Sequence, residues 1–188
     1  MAWRTLHVTG PATSGTSPSG LIESTPRTAM PDMSNQDIVT ARTFPLPREA
    51  VYSAFADPVT LARWWGPHGS MNTFETFELR AGGAWRFTMR AADGAEYHMV
   101  NEFVEVDAPR RIVVRHHQAD HGFTLAMTYE AADAQLTRVE WRMRFDTAEE
   151  AARVRAFVVE ANEQNLDRLE AVLGLPPSHR VPPSGPDA

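Results

Sequence analysis

Thr147-Ala148-Glu149-Glu150, followed by AARVRAFVVEANEQNLDRLEAV over residues 151–172, is the stretch on which the fold turns. Thr147 and Glu150 stand at capping-box spacing: the hydroxyl serves the amide three residues on, and the carboxylate reaches back to the Thr147 amide. Val154, Phe157, Val158, Ala161, Asn165, Leu169 and Val172 then recur at three- and four-residue steps, which predicts a helix over about 148 to 173 with a single inner stripe. A helix of that kind has to lay its stripe on an apolar surface. The chain before it offers strands.

Val139, Trp141, Met143 and Phe145 alternate with Arg138, Glu140, Arg142 and Arg144, one apolar and one charged face. Phe123, Leu125, Met127 and Tyr129 repeat the pattern, with a turn expected at Ala131 to Ala134, as do Trp85, Phe87 and Met89 against Arg86, Thr88 and Arg90. Asp93-Gly94 is a hairpin signal. Glu96 to Val106, Ile112 to His116 and Thr73 to Leu79 read as further strands, the last turned by Ala81-Gly82-Gly83. Asp37 to Phe44 is a first strand, stopped by Pro45 and Pro47. Two short helices follow it. Arg48 to Ala56 carries Val51, Tyr52 and Phe55 on one face. The next is capped by Asp57, has Pro58 in its first turn, carries Leu61, Trp64 and Trp65, and ends at Gly66-Pro67. The order is therefore strand, two short helices, six strands, long helix. Hairpin connections make the sheet antiparallel, and one long helix must cover its whole apolar face. An α+β fold results: a curved seven-stranded antiparallel sheet wrapped around a long C-terminal helix, with two short helices after strand 1 closing one end.

Several blocks resemble a known family in the right order. Pro47-Arg48-Glu49-Ala50-Val51-Tyr52-Ser53-Ala54-Phe55-Ala56-Asp57-Pro58 with Leu61-Ala62-Arg63-Trp64-Trp65-Gly66-Pro67 resembles the opening signature of the heat-shock-protein-90 ATPase activator-like family, within the START-like (SRPBCC) superfamily. Gly82 to Arg90 with Asp93-Gly94, Phe103 to Val113, and Asn165-Leu166-Asp167-Arg168-Leu169-Glu170 are similar to its later blocks. The resemblance covers about 37 to 175 and implies the helix-grip fold with a deep cavity between sheet and helix, used elsewhere for lipids, polyketides and other hydrophobic molecules. The sequence departs from the family pattern at Ala161-Asn162, where many relatives carry Gly-Trp, and at Asn101, where a small residue is usual.

The chain has 188 residues, a net charge of -6 and no Cys. Nucleic-acid binding by bulk electrostatics is thereby disfavoured, and disulfides, thiol nucleophiles and thiolate metal sites are excluded. All 18 positive charges are Arg. No apolar run reaches the ~20 residues of a membrane span, and Met1-Ala2-Trp3-Arg4-Thr5-Leu6-His7 lacks the apolar stretch of a secretory signal; a cytoplasmic protein is expected. Residues 1–36, rich in Thr, Ser, Pro and Gly, read as a disordered extension, with Met33 as an alternative start; 37–175 is the folded domain and 176–188 a Pro-rich flexible tail.

Alternation and helical phase point Trp64, Trp85, Phe87, Met99, Phe103, Phe123, Leu125, Met127, Trp141, Met143 and Phe157 inward. Burial alone stabilises each by about 1.5–3 kcal/mol, so a solid core explains them without a ligand; Met and Trp together also line adaptable pockets. Asn165 should face the sheet, with Asn162 at the stripe's edge. An inward amide must find partners, whether a ligand, a water, or a side chain such as His98 or His116. Those two histidines are the candidates for a general acid or base, with no paired nucleophile beside them. Asp120, His116 and His121 around one turn are the nearest approach to a zinc set; a solvated hairpin tip is the simpler account, and no metal or other cofactor is expected. Arg86, Arg90, Arg138, Arg142 and Arg144 make an exposed charged sheet face, or a docking surface for an acidic partner. No phosphate loop, nucleophile elbow or HExxH motif is present. Binding of a small hydrophobic, partly polar molecule in the cavity is the function expected. The alternatives are a cyclase-, aromatase- or hydrolase-type enzyme using the same cavity and a co-chaperone stimulating a heat-shock ATPase. The first strand or the outer sheet face offers a surface for a homodimer.

Overall fold

β1 (Asp37–Phe44), α1 (Arg48–Ala56), α2 (Pro58–Trp64), β2 (Met71–Phe77), β3 (Ala84–Arg90), β4 (Glu96–Asp107), β5 (Arg111–His116), β6 (Phe123–Asp133), β7 (Leu136–Phe145) and α3 (Ala148–Val172) follow in that order in the computed structural model. The structure describes residues 35–117 and 122–178. The expected N-terminal extension, apart from its last two residues, and the Pro-rich tail beyond Ser178 lie outside the described residues, as do Asp120 and His121.

The strands form one antiparallel sheet ordered β1-β7-β6-β5-β4-β3-β2. Each hairpin strand pairs with its sequence neighbour, and β1 closes against β7. The single α3 lies on the apolar face, so the helix-grip architecture is the one observed. Its start has the expected cap: Thr147 Oγ1 accepts from the Glu150 amide at 3.2 Å. Asp57 caps α2 by accepting from the amides of Val59 and Thr60. Gly94, at φ +86°, supplies the left-handed residue of the β3–β4 hairpin.

Two boundaries differ from expectation. β2 runs from Met71 to Phe77 instead of Thr73 to Leu79, because Met71 and Asn72 pair with Arg90 and Met89, whereas Arg80 N donates to Glu78 O and bends the chain away. β6 does not turn at Ala131. Ala131 pairs with Thr137 and Asp133 with Leu136, and Asp133 Oδ1 accepts from Gln135 N at 2.7 Å to close the turn.

The antiparallel register builds continuous rows on the inner face. Trp85, Asn101, His116 and Phe123 stand directly opposite one another across β3, β4, β5 and β6. Val114, Leu125, Met143 and Ile38 make a second row across β5, β6, β7 and β1. The helix is fastened to the β1 edge by Arg42, which meets Glu163, Asp167 and Glu170 at 2.6, 2.7 and 3.2 Å. Those acids sit at i, i+4 and i+7, on one face of α3. Among the described residues no helix is long and apolar enough to cross a membrane.

Candidate functional site: a cavity between sheet and helix

The two rows and α3 do not close on each other completely. A cavity of about 70 Å³ remains between them, several times the ~10–15 Å³ that one water needs. Ala161 helps to create it: a small residue stands on α3 where the neighbouring stripe positions carry branched or aromatic side chains. The sheet contributes Trp85, Phe87 and Met89 from β3, Met99 and Asn101 from β4, Val114 and His116 from β5, Phe123 and Leu125 from β6, and Trp141 and Met143 from β7. From α3 come Phe157, Val158, Ala161, Asn162 and Asn165; Trp65 and Gly66 enter from the loop after α2. Only Trp65, Phe123 and Phe157 keep partial exposure, so they mark its rim.

Ten of the thirteen expected ligand-binding residues meet here. Trp64, Phe103 and Met127 do not: all three are buried in the surrounding core. Trp64 donates its indole N–H to Ala54 O at 2.9 Å and stacks on Trp141, and Phe103 lies parallel to Trp85 at 5.9 Å, away from the cavity lining. Trp65 replaces Trp64. It is the first residue after α2, and its ring lies between Trp85 and Trp141, at centroid distances of 5.1 and 5.4 Å.

Of the two candidate histidines, His98 is exposed on the opposite face, with Nδ1 3.0 Å from Thr88 Oγ1. The parity that turns Met99 inward turns His98 outward. Glu102, further along the same strand, is exposed on that outer face as well. His116 is fully buried in the cavity wall, stacked on Phe123 at 4.7 Å. Asn101 donates through Nδ2 to Trp85 O at 3.2 Å, which turns Oδ1 toward His116 Nδ1 at 2.8 Å. Since Oδ1 only accepts, Nδ1 carries the proton, and in the neutral ring the lone pair belongs to Nε2. Among the described residues no group of three or more His, Asp or Glu side chains is placed to hold a metal ion.

The amides on α3 are both buried, but their partners are neither His98 nor His116. Asn165 Oδ1 accepts from the buried Gly66 amide, and Asn162 Nδ2 contacts Thr40 Oγ1 at 3.1 Å and Met143 Sδ at 3.6 Å. Asn165 therefore does two jobs, lining the cavity and holding the loop that carries Trp65 and Gly66. The same loop is secured by Gln164, which accepts from His68 N at 3.0 Å, and by Arg168. Arg168 donates to the carbonyls of Arg63, Gly66, Pro67 and Ser70 at 2.8–3.0 Å. Burial pulls its guanidinium below the ordinary value, and these dipoles stand in for a carboxylate. Among the described residues the indole N–H groups of Trp85 and Trp141 are enclosed with no acceptor, so they stand with the amides and His116 as the polar groups of the cavity wall.

The sequence profile of the family described as Activator of Hsp90 ATPase homolog 1-like protein matches residues 45–174, a span that contains every lining residue. No curated protein matches the chain. Among solved structures, the chain is similar to a protein from Arthrobacter aurescens at 22% identity and a TM-score of 0.70, with 76% of this chain and 88% of that one covered. A protein from Mycobacterium smegmatis is similar at 24% identity and 0.67, over 76% and 94% of the two chains. A third similar structure, of an AHSA1 protein from Silicibacter pomeroyi, has 20% identity and a TM-score of 0.60, with coverage of 73% and 97%. At these identities the likeness is one of fold.

Proposed function

The chain belongs to the Activator of Hsp90 ATPase homolog 1-like family, and within that family we propose that it binds a small, largely apolar molecule with hydrogen-bonding groups between the sheet and α3. One observation carries this reading: a cavity walled by methionines and aromatic rings is interrupted by buried amides on the helix. Each amide spends one end on the fold, Asn165 on Gly66 and Asn162 on Thr40, and a buried polar atom left unsatisfied at the other end costs about 1–3 kcal/mol, which a ligand group would offset. Met89, Met99 and Met143 are unbranched and adaptable, suited to a wall that adjusts to its occupant.

Three of the five tryptophans line the cavity, so intrinsic fluorescence reports directly on occupancy. Freshly purified protein is expected to show a bound mass in native mass spectrometry. Ligand at about 100-fold its Kd adds about 2.7 kcal/mol, a rise in Tm of roughly 5–10 °C for a chain of this size. A chemically diverse small-molecule panel that produces neither fluorescence change nor thermal shift, together with no bound mass, would sink the proposal.

A catalytic reading, of the cyclase, aromatase or hydrolase kind, has one observation in its favour: the His116–Asn101 pair in the cavity wall. A histidine whose tautomer is fixed at Nδ1 has the chemistry of a general base at Nε2. If His116→Ala retains full turnover of a substrate identified in the cavity, that reading is wrong. A co-chaperone role draws on the family description alone, and is separated from ligand binding by whether the purified chain changes the turnover of a heat-shock ATPase.

A further inference from the structure

Asn162 and Asn165 each use one end of the amide on the protein and leave the other end over. The backbone N–H of Gly66 can only donate, so the atom of Asn165 that meets it is Oδ1, and the NH2 group is on the other side. Met143 Sδ serves as an acceptor, which turns the NH2 of Asn162 toward Met143 and Thr40 and its carbonyl away from them. Among the described residues Asn165 Nδ2 donates to no protein group and Asn162 Oδ1 accepts from none. Neither atom is sealed off by protein, although the two residues are only 7% and 6% exposed. Three positions apart on a helix, they are neighbours on one face, with Cβ atoms about 5–6 Å apart. The cavity thus presents one donor and one acceptor side by side.

No lining residue carries a fixed charge. An ionised ligand group would be desolvated there without a counter-ion, at a cost that normally forces neutralisation. The sheet wall is largely aromatic, aliphatic and thioether, interrupted by Asn101 and His116. The volume, about 70 Å³, suits a single small ring once the methionines adjust.

From this arrangement, and resting on the cavity-binding function proposed above, we infer that the ligand is a neutral, single-ring molecule with a hydrogen-bond acceptor and donor on adjacent positions, as on the edge of a lactam. The ligand carbonyl receives from Asn165 Nδ2 and the ligand N–H donates to Asn162 Oδ1.

Three probes of matched ring size test it by tryptophan fluorescence titration: 2-piperidone with donor and acceptor, cyclohexanone with the acceptor only, and methylcyclohexane with neither. Asn162→Leu is expected to weaken 2-piperidone about tenfold while cyclohexanone stays within about twofold, since one buried hydrogen bond with its stranded partner is worth roughly that factor. Asn165→Met leaves the Gly66 amide a weak sulfur acceptor and removes the donor without adding a titratable group. It is expected to weaken both carbonyl probes about tenfold and to leave methylcyclohexane within about twofold. Should either variant fold poorly, the wild-type protein decides: the N–H proton of ¹⁵N-labelled 2-piperidone moves downfield on binding if it is hydrogen-bonded. An unshifted N–H proton, or variants that change all three probes alike or none of them, overturns the lactam inference. Quenching by all three probes, with 2-piperidone and cyclohexanone as independent of the amides as methylcyclohexane, overturns it while leaving the cavity-binding function intact. No response to any of the probes overturns both.

Discussion

Replacing Arg42 by Met tests what holds the helix over the sheet. Arg42 is on the edge strand β1, its side chain is 10% exposed, and its guanidinium is shared by three α3 carboxylates. Glu163 and Asp167 are each 30% exposed, so on loss of the cation they return to water at small cost. Glu170 is different: its side chain is 4% exposed, and among the described residues its carboxylate's only other bonds are from the backbone and hydroxyl of Ser178. Removing one member of a buried ion pair costs about 3–5 kcal/mol. With Ser178 still serving Glu170, the low end applies, about 3 kcal/mol, or a Tm lower by roughly 6–12 °C. Urea unfolding followed by tryptophan fluorescence measures it. The double variant Arg42→Met with Glu170→Met removes the stranded charge and is expected to regain more than half of the loss. A single-variant loss under about 1 kcal/mol, or a double variant no more stable than the single, refutes the view that Glu170 is the group stranded.

Three further outcomes follow from the same structure. Hydrogen bonding from Arg144, opposed by burial and aided by Arg142, holds the Asp37 carboxyl below the usual carboxylate range. Its contribution to stability is therefore present above about pH 4, the value of the unfolded side chain, and is lost as pH falls through the lower folded value. The urea midpoint of Asp37→Asn should fall less steeply with acidification than that of the wild type; parallel slopes would remove Asp37 from the account. Asn165→Leu strands the buried Gly66 amide and should cost about 1–3 kcal/mol, with Gly66 losing hydrogen-exchange protection, whereas Asn165→Asp retains most of that protection. Gly66→Ala should destabilise by about 2 kcal/mol: Gly66 has φ +97°, and a Cβ there would lie 2.5 Å from Ser70 Oγ and 2.9 Å from Met89 Cε. An Ala variant with wild-type Tm would show that this loop relaxes without loss.

Fold and site were not equally legible in the sequence. Strand alternation carries the architecture because its period is 2 and one face is buried: Trp85, Phe87 and Met89 could point nowhere but inward once Arg86 and Arg90 point out. Caps at Asp57 and Thr147 are local, and local chemistry can be read along the chain. The failures are of another kind. Trp64 and Trp65 are adjacent at the end of α2, and which of them reaches the cavity depends on how that helix end sits against the sheet, with the loop after it tied to α3. His98 was recoverable by parity alone from Met99. Phe103 and Met127 have the right parity but the wrong place along their strands; position along a row is set by the cross-strand register, which no single strand contains.

The amides show how that distinction bears on function. Helical phase was enough to bring Asn165 onto the inner stripe and Asn162 to its edge. Their chemistry toward a ligand is fixed by residues far away in sequence, Gly66 and Thr40, each about 100 or more positions back. Gly66 claims an oxygen and leaves a donor over; Met143 draws the other amide's NH2 and leaves an acceptor over. Had Asn165 faced a backbone carbonyl in place of an N–H, the same side chain would offer the cavity the opposite polarity. The recognition edge is therefore a property of the loop and the sheet as much as of the helix that bears it. Ala161 gives it room: a larger side chain there would fill the space in front of both amides, and the helix would be left with only the packing role of its stripe.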